Sequence, residues 1–161
     1  MNTKPNGRLY WIKMKSLYYS ILMCYGILFF SCKKEEISQP SLAPEINFVS
    51  VNPLTVKEYN DKLQFSFIYT DSDGDLGENN PSVNNLYLTD NRNQVIYEYR
   101  IKQLAPDNAN VKITGVLTVE LKNTAITDNS TLQKTTYSIY IKDRAGNISN
   151  TIITPEVTVI K

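Results

Sequence analysis

Residues 62–70, Lys62-Leu63-Gln64-Phe65-Ser66-Phe67-Ile68-Tyr69-Thr70, alternate with a period of two. Leu63, Phe65, Phe67 and Tyr69 share one parity, and Gln64, Ser66 and Thr70 the other. Successive side chains of a β-strand point to opposite faces, so this stretch predicts a strand with one buried and one solvated side.

The same period recurs on both sides of it. Upstream, residues 45–51 set Ile46, Phe48 and Ser50 against Val49 and Val51 and stop before Pro53. Downstream, residues 85–89 turn through Asp90-Asn91-Arg92-Asn93 into residues 94–102, where Val95, Tyr97, Tyr99 and Ile101 share the inner face. Residues 116–122 point Leu117, Val119 and Leu121 inward, and residues 135–142 do so with Tyr137, Ile139 and Ile141. Residues 151–160 offer Ile153, Val157 and Val159 inward, with Thr154, Glu156 and Thr158 outward. Seven short strands with one apolar face each, and no helical period, predict an all-β domain: a single two-sheet sandwich of about seven antiparallel strands over residues 45–161. Tyr137 stands two residues before Ile139, the spacing of a tyrosine corner; its other reading is an ordinary core aromatic. Tyr97 and Tyr99 read as core rather than as a sugar-stacking strip, and Tyr140 as an outward aromatic.

Two stretches add a resemblance. Lys142-Asp143-Arg144-Ala145-Gly146-Asn147-Ile148-Ser149 resembles the Asp-x-Ala-Gly-Asn-x-Ser turn before the last strand of bacterial immunoglobulin-like domains. Phe67-Ile68-Tyr69-Thr70-Asp71-Ser72-Asp73-Gly74-Asp75-Leu76-Gly77 is similar to a segment of lipoproteins that carry such domains. The resemblance implies an immunoglobulin-like sandwich and no defined activity.

Before the domain, residues 17–30 form an apolar run interrupted only by Ser20 and Gly26, behind Lys13 and Lys15. A spanning helix needs roughly 20 apolar residues, whereas a basic flank and a run of about 7–15 are the marks of a secretory signal peptide. Residues 1–31 are therefore read as that signal, with initiation at Met1 or at Met14. The run ends Phe29-Phe30-Ser31-Cys32, which resembles a bacterial lipobox: Ser31 fills the small position, and Phe29 departs from the usual Leu. The resemblance implies cleavage before Cys32 and lipidation of its thiol; the other reading is an uncleaved anchor. Residues 32–44 are then the lipidated cysteine and a flexible linker with Pro40 and Pro44. Lys33-Lys34-Glu35-Glu36 resembles the charged signal that sends some Gram-negative lipoproteins to the outer face of the outer membrane, its alternative being a solvated charge cluster. The expected location is the outer membrane, facing the cell surface, with the periplasmic face as alternative.

Removal of residues 1–31 takes Lys4, Arg8, Lys13 and Lys15 from 17 Lys+Arg, leaving 13 against 16 Asp+Glu, a net charge of −3. Nothing in that balance supplies the clustered cations nucleic acid requires. Cys24 leaves with the signal, so no thiol remains for an internal disulfide, and the chain has no His, the commonest general base and metal ligand.

The candidate chemistry is acidic. Asp71, Asp73 and Asp75 stand at alternate positions beside Gly74 and Gly77. Crowded carboxylates repel unless a cation binds, and an all-oxygen set suits calcium. An EF-hand is excluded, because Leu76 stands where that loop needs Gly and Ser82 where it needs Glu. In a sandwich, Asp143 and Asn147, with Asp107 and Asn108, are expected at the same end, so Asp143 joins the candidate calcium ligands. The alternative is that Asp and Gly only make tight turns. The function expected is a membrane-anchored binding or assembly module for a protein or glycan. An accessory subunit of an envelope complex, with no ligand of its own, is the runner-up. A calcium-dependent hydrolase is the remote third, since neither a cleft nor a separate second carboxylate is visible and the chain is not read as an enzyme.

Overall fold

The computed structural model describes residues 41–161, and among them there is no helix. Residues 1–31, expected to be a signal peptide, Cys32 and the run Lys33, Lys34, Glu35 and Glu36 lie outside the described residues. Ten strands follow in order: β1 (Glu45–Asn52), β2 (Thr55–Lys57), β3 (Leu63–Asp71), β4 (Leu86–Asp90), β5 (Val95–Tyr99), β6 (Ile113–Leu121), β7 (Leu132–Thr135), β8 (Tyr137–Ile141), β9 (Ile152–Ile153) and β10 (Val157–Ile160). They form three sheets, ordered β1-β3-β6, β2-β10-β7 and β5-β4-β8-β9. The fold is all-β and β-sandwich-like. Seven antiparallel strands were expected; the count is higher, and β2 pairs with β10 in parallel.

Two of the three added strands come from breaks in expected ones, and the third, β2, is a short strand over Thr55–Lys57 that the alternation did not show. The strand expected over 135–142 divides at Thr136, so that β7 pairs with β10 while β8 pairs with β4 and β9. The last strand divides at Thr154-Pro155-Glu156. Pro155 has no N–H to give a ladder, and Thr154 turns inward, where its Oγ1 accepts the Tyr137 N–H at 2.9 Å. Thr154 is therefore buried at 4% exposure, and Ile153, expected inside, is 64% exposed. Val157 and Val159 return to the core.

β1 carries a similar correction. Its register against β3 shifts between Phe48 and Ser50, so Val49 is the extra residue of a β-bulge. Alternation restarts after it: Val49 faces out at 48% exposure and Val51 faces in at 4%. In β5, Val95 is exposed, against expectation, while Tyr97 and Tyr99 are half-buried against the core and Ile101 just beyond the strand is buried. β6 starts earlier than expected, at Ile113, because Gly115 leaves room for the Tyr69 ring; a Cβ there would stand 2.8 Å from its Oη.

The central strand is as the alternation predicts. Leu63, Phe65, Phe67 and Tyr69 are buried and Gln64 is exposed. Phe65 meets Tyr137 of β8 edge to face, with ring centroids 5.0 Å apart. Tyr137 is fully buried, and its hydroxyl reaches the Thr124 Oγ1 at 3.4 Å. The bond closes the connection between β6 and β8 through a side chain, whereas a tyrosine corner uses backbone. Burial pushes the Tyr137 phenol up to about 12.

Candidate metal centre

β3 delivers the first acidic residue. Asp71 is its last position, opposite Ile113 of β6, and is 0% exposed. The inward parity that buries Phe67 and Tyr69 also carries this carboxylate inside. Its Oδ2 accepts the Leu76 N–H at 2.8 Å, which folds the chain back over residues 71–76. Its Oδ1 has no partner among the described residues.

The rest of the loop is held by two others. Val111 N–H donates to the Asp73 carbonyl at 3.3 Å, bringing up the connection between β5 and β6. Gly74 lies at φ +76°, and a Cβ on it would sit 2.5 Å from the Val111 carbonyl oxygen, so only glycine allows this approach. From the other side, Ala145 N–H donates to Asp75 Oδ2 at 2.9 Å and Arg144 N–H to the Asp75 carbonyl at 3.3 Å. Three loops distant in sequence thus meet at one end.

At their junction Asp71, Asp73 and Asp75 each place a carboxylate oxygen within 4.8 Å of the others. The Oδ1 atoms of all three are buried and unpartnered. Buried polar atoms are hydrogen-bonded almost without exception, so three in one spot is an unmet demand for positive charge. Burial pushes the Asp71 carboxyl up to about 6; the Leu76 N–H opposes the rise, and Asp73 and Asp75 add to it. Burial also raises Asp75, opposed by the Ala145 N–H and reinforced by Asp143 and Asp73. The Arg144 charge opposes the rise at Asp75, while its side chain is bonded away from the three Oδ1 atoms: its Nη1 donates to the Gly77 carbonyl at 2.9 Å, and its Nη2 stands 4.0 Å from Asp107.

Asp143 occupies a different place in this arrangement. Its Oδ1 accepts the Asn147 N–H at 2.7 Å and its Oδ2 the Asn147 Nδ2 at 2.8 Å, closing the 143–147 turn with Gly146 at φ +94°. It is a neighbouring negative charge to Asp75 and sits beside the group of three. Asn108 lines an open cleft of about 340 Å³ together with Asp73, Asp75, Ala109, Asn110 and Arg144. Asp107 accepts from Gln103 Nε2 at 2.9 Å.

Two features carried no sequence signal. One is the approach of residues 109–111 to Gly74, which depends on a long connection. The other is a buried polar knot at Asp90 and Arg92, which the sequence offers only as a turn. Tyr140 is half-buried on the outer face of its sheet, stacked on Tyr87 with centroids 4.7 Å apart and rings 13° from parallel. The chain matches no protein-family model and no curated protein.

Proposed function

We propose that this chain is a cell-envelope lipoprotein, anchored through Cys32 and presenting an immunoglobulin-like module whose loop end is organised by a calcium ion. The observation that carries the metal is the trio of buried, unpartnered oxygens on Asp71, Asp73 and Asp75. A hard divalent cation takes six to eight oxygens at 2.3–2.6 Å, and three crowded carboxylates are the core of such a set. Asp143 supports it by building the turn whose Ala145 N–H orients Asp75. The ion's part is to hold three loops together, and the loop end is then a rigid surface for binding or assembly.

The strand order supports the immunoglobulin-like reading. With β7–β8 and β9–β10 each taken as one interrupted strand, the order β2-β10/β9-β7/β8-β4-β5 lies against β1-β3-β6. The first strand is then shared between both layers through β1 and β2. For the anchor, the support is the 14-residue apolar run ending Phe29-Phe30-Ser31-Cys32, followed by Lys33, Lys34, Glu35 and Glu36 for export to the cell surface. Calorimetric titration of the chain with calcium tests the metal: heat is expected for wild type and none for Asp73→Asn, and a silent wild type overturns it. Radiolabelled palmitate tests the anchor: label entering the Cys32→Ala chain overturns lipidation at that residue.

A further inference from the structure

The sheet β1-β3-β6 has two edges, and the fold treats them differently. At the β1 edge, Asn150 imitates a strand: its Oδ1 accepts the Ile46 N–H at 2.8 Å, and its Nδ2 donates to the Ile46 carbonyl at 2.8 Å. The bulge at Val49 further disrupts that edge. The β6 edge has neither device. It runs nine residues without Pro, Lys or a register shift, and Glu120 is its only charge. Natural edges of that length are normally blunted by such features.

The Asn150 contact also shows which backbone groups of β6 are free. Ile46 turns both its groups away from β3, so Ile46 and Tyr69 are a non-hydrogen-bonded pair. Tyr69 must then face β6, where it pairs with Gly115, and the Thr114 hydroxyl does donate to the Tyr69 carbonyl at 2.8 Å. By alternation, Thr114, Val116, Thr118 and Glu120 send their N–H and C=O groups outward. None of these has a backbone partner among the described residues. Their side chains are all exposed, Val116 at 63%.

We infer that β6 pairs antiparallel with β6 of a second copy about a two-fold axis at Val116, joining the two sheets into one of six strands. The charges select this register. Centred on Val116, the pairing sets Glu120 opposite the second copy's Lys112 and Thr118 opposite its Thr114, twice by symmetry. Centred on Leu117 it would set Lys122 opposite Lys112, a like-charge pair. Glu120 already lies 2.9 Å from Lys62 on the neighbouring strand's side, so the second lysine completes a cation–anion–cation row. Lys112 forms no ion pair among the described residues. The second copy would also cover the open flank of about 470 Å³ beside this edge, whose floor includes Ile101, Leu117 and Val119.

The test uses the full chain extracted in mild detergent. At the axis, hydrogen-bonded partners have Cα atoms about 5.5 Å apart, within disulfide reach. Val116→Cys is therefore expected to give an oxidised dimer above the background of the parent chain, and Ile68→Cys, one strand further in, is not. Glu120→Lys and Lys112→Glu are each expected to weaken dimerisation in sedimentation by about tenfold or more, and their combination to restore it. A monomer at every concentration, equal cross-linking from Ile68→Cys, or a folded double variant that stays monomeric overturns the inference. Cross-linking of Val116→Cys to a different protein alone overturns it as well.

Discussion

Arg92 Nη2 lies 2.6 Å from Asp90 Oδ2, and Asp90 is all but fully buried. The guanidinium also donates to Gln133 Oε1 at 3.1 Å and Thr124 Oγ1 at 3.0 Å, while Thr135 donates to Asp90 Oδ1 at 2.8 Å. The hairpin turn between β4 and β5 is thereby tied to β7 itself, through Gln133 and Thr135, and to Thr124 in the connection that precedes it. Removing one partner of a buried pair leaves an uncompensated charge, so Arg92→Ala is expected to cost about 3–5 kcal/mol in denaturant unfolding. A cost under about 1 kcal/mol would mean that solvent reaches the pair.

The same pair sets an acid dependence. Burial pushes the Asp90 carboxyl up, but bonds from Arg92 and Thr135 outweigh it and hold the group below its ordinary 3.8. A carboxylate depressed in the folded state contributes its stability above the unfolded value and loses it as pH falls through the folded one. The stability gap between wild type and Asp90→Asn is therefore expected to be full at pH 7 and to shrink below about 3.8, measured as denaturant midpoints across that range. A gap that widens on acidification would reverse the assignment.

Calcium should raise the melting temperature. Binding to the folded state alone contributes about 2.7 kcal/mol at one hundred times Kd, which for a domain of this size is a shift on the order of 10 °C. The shift is expected to vanish in Asp73→Asn and to diminish in Asp143→Asn, whose loss loosens the turn holding Ala145 against Asp75. Magnesium should substitute poorly, because it prefers a tighter octahedron with retained water. Equal melting in calcium and in chelator would leave the loop as a turn.

Gly74 and Gly146 both have positive φ but differ in surroundings. A methyl group on Gly74 meets the Val111 carbonyl, whereas on Gly146 it finds only the Lys142 Cε at 3.7 Å. Gly146→Ala thus carries backbone strain alone, about 1–3 kcal/mol, and Gly74→Ala carries that plus a displaced loop. Thermal melts in chelator should rank Gly74→Ala as the less stable. The reverse order would show that residues 109–111 yield freely.

Phe65→Ala should cost about 3–5 kcal/mol, as for a large core side chain, while Gln64→Ala next to it should be nearly neutral. Parallel denaturant titrations decide it, and a larger effect at Gln64 would reverse the register of β3.

The alternation of Leu63, Phe65, Phe67 and Tyr69 was enough, by itself, to place the central strand and its buried face, because a period of two is local geometry that each residue carries with it. The same local rule failed where one residue changed the count. Val49 is the residue at which the pairing of β1 with β3 shifts register, and Thr154 turns inward because its Oγ1 takes the Tyr137 N–H of a neighbouring strand. The acidic loop divides in the same way. Its spacing showed Asp71, Asp73 and Asp75 as a set, since three residues within five positions are close in any conformation. That their Oδ1 atoms end up buried and unpartnered depends on Val111 and Ala145 closing over them. Whether the β6 edge stands open was likewise beyond any local pattern, for an edge is free or capped only by what the rest of the chain, here Asn150 at Ile46, brings against it.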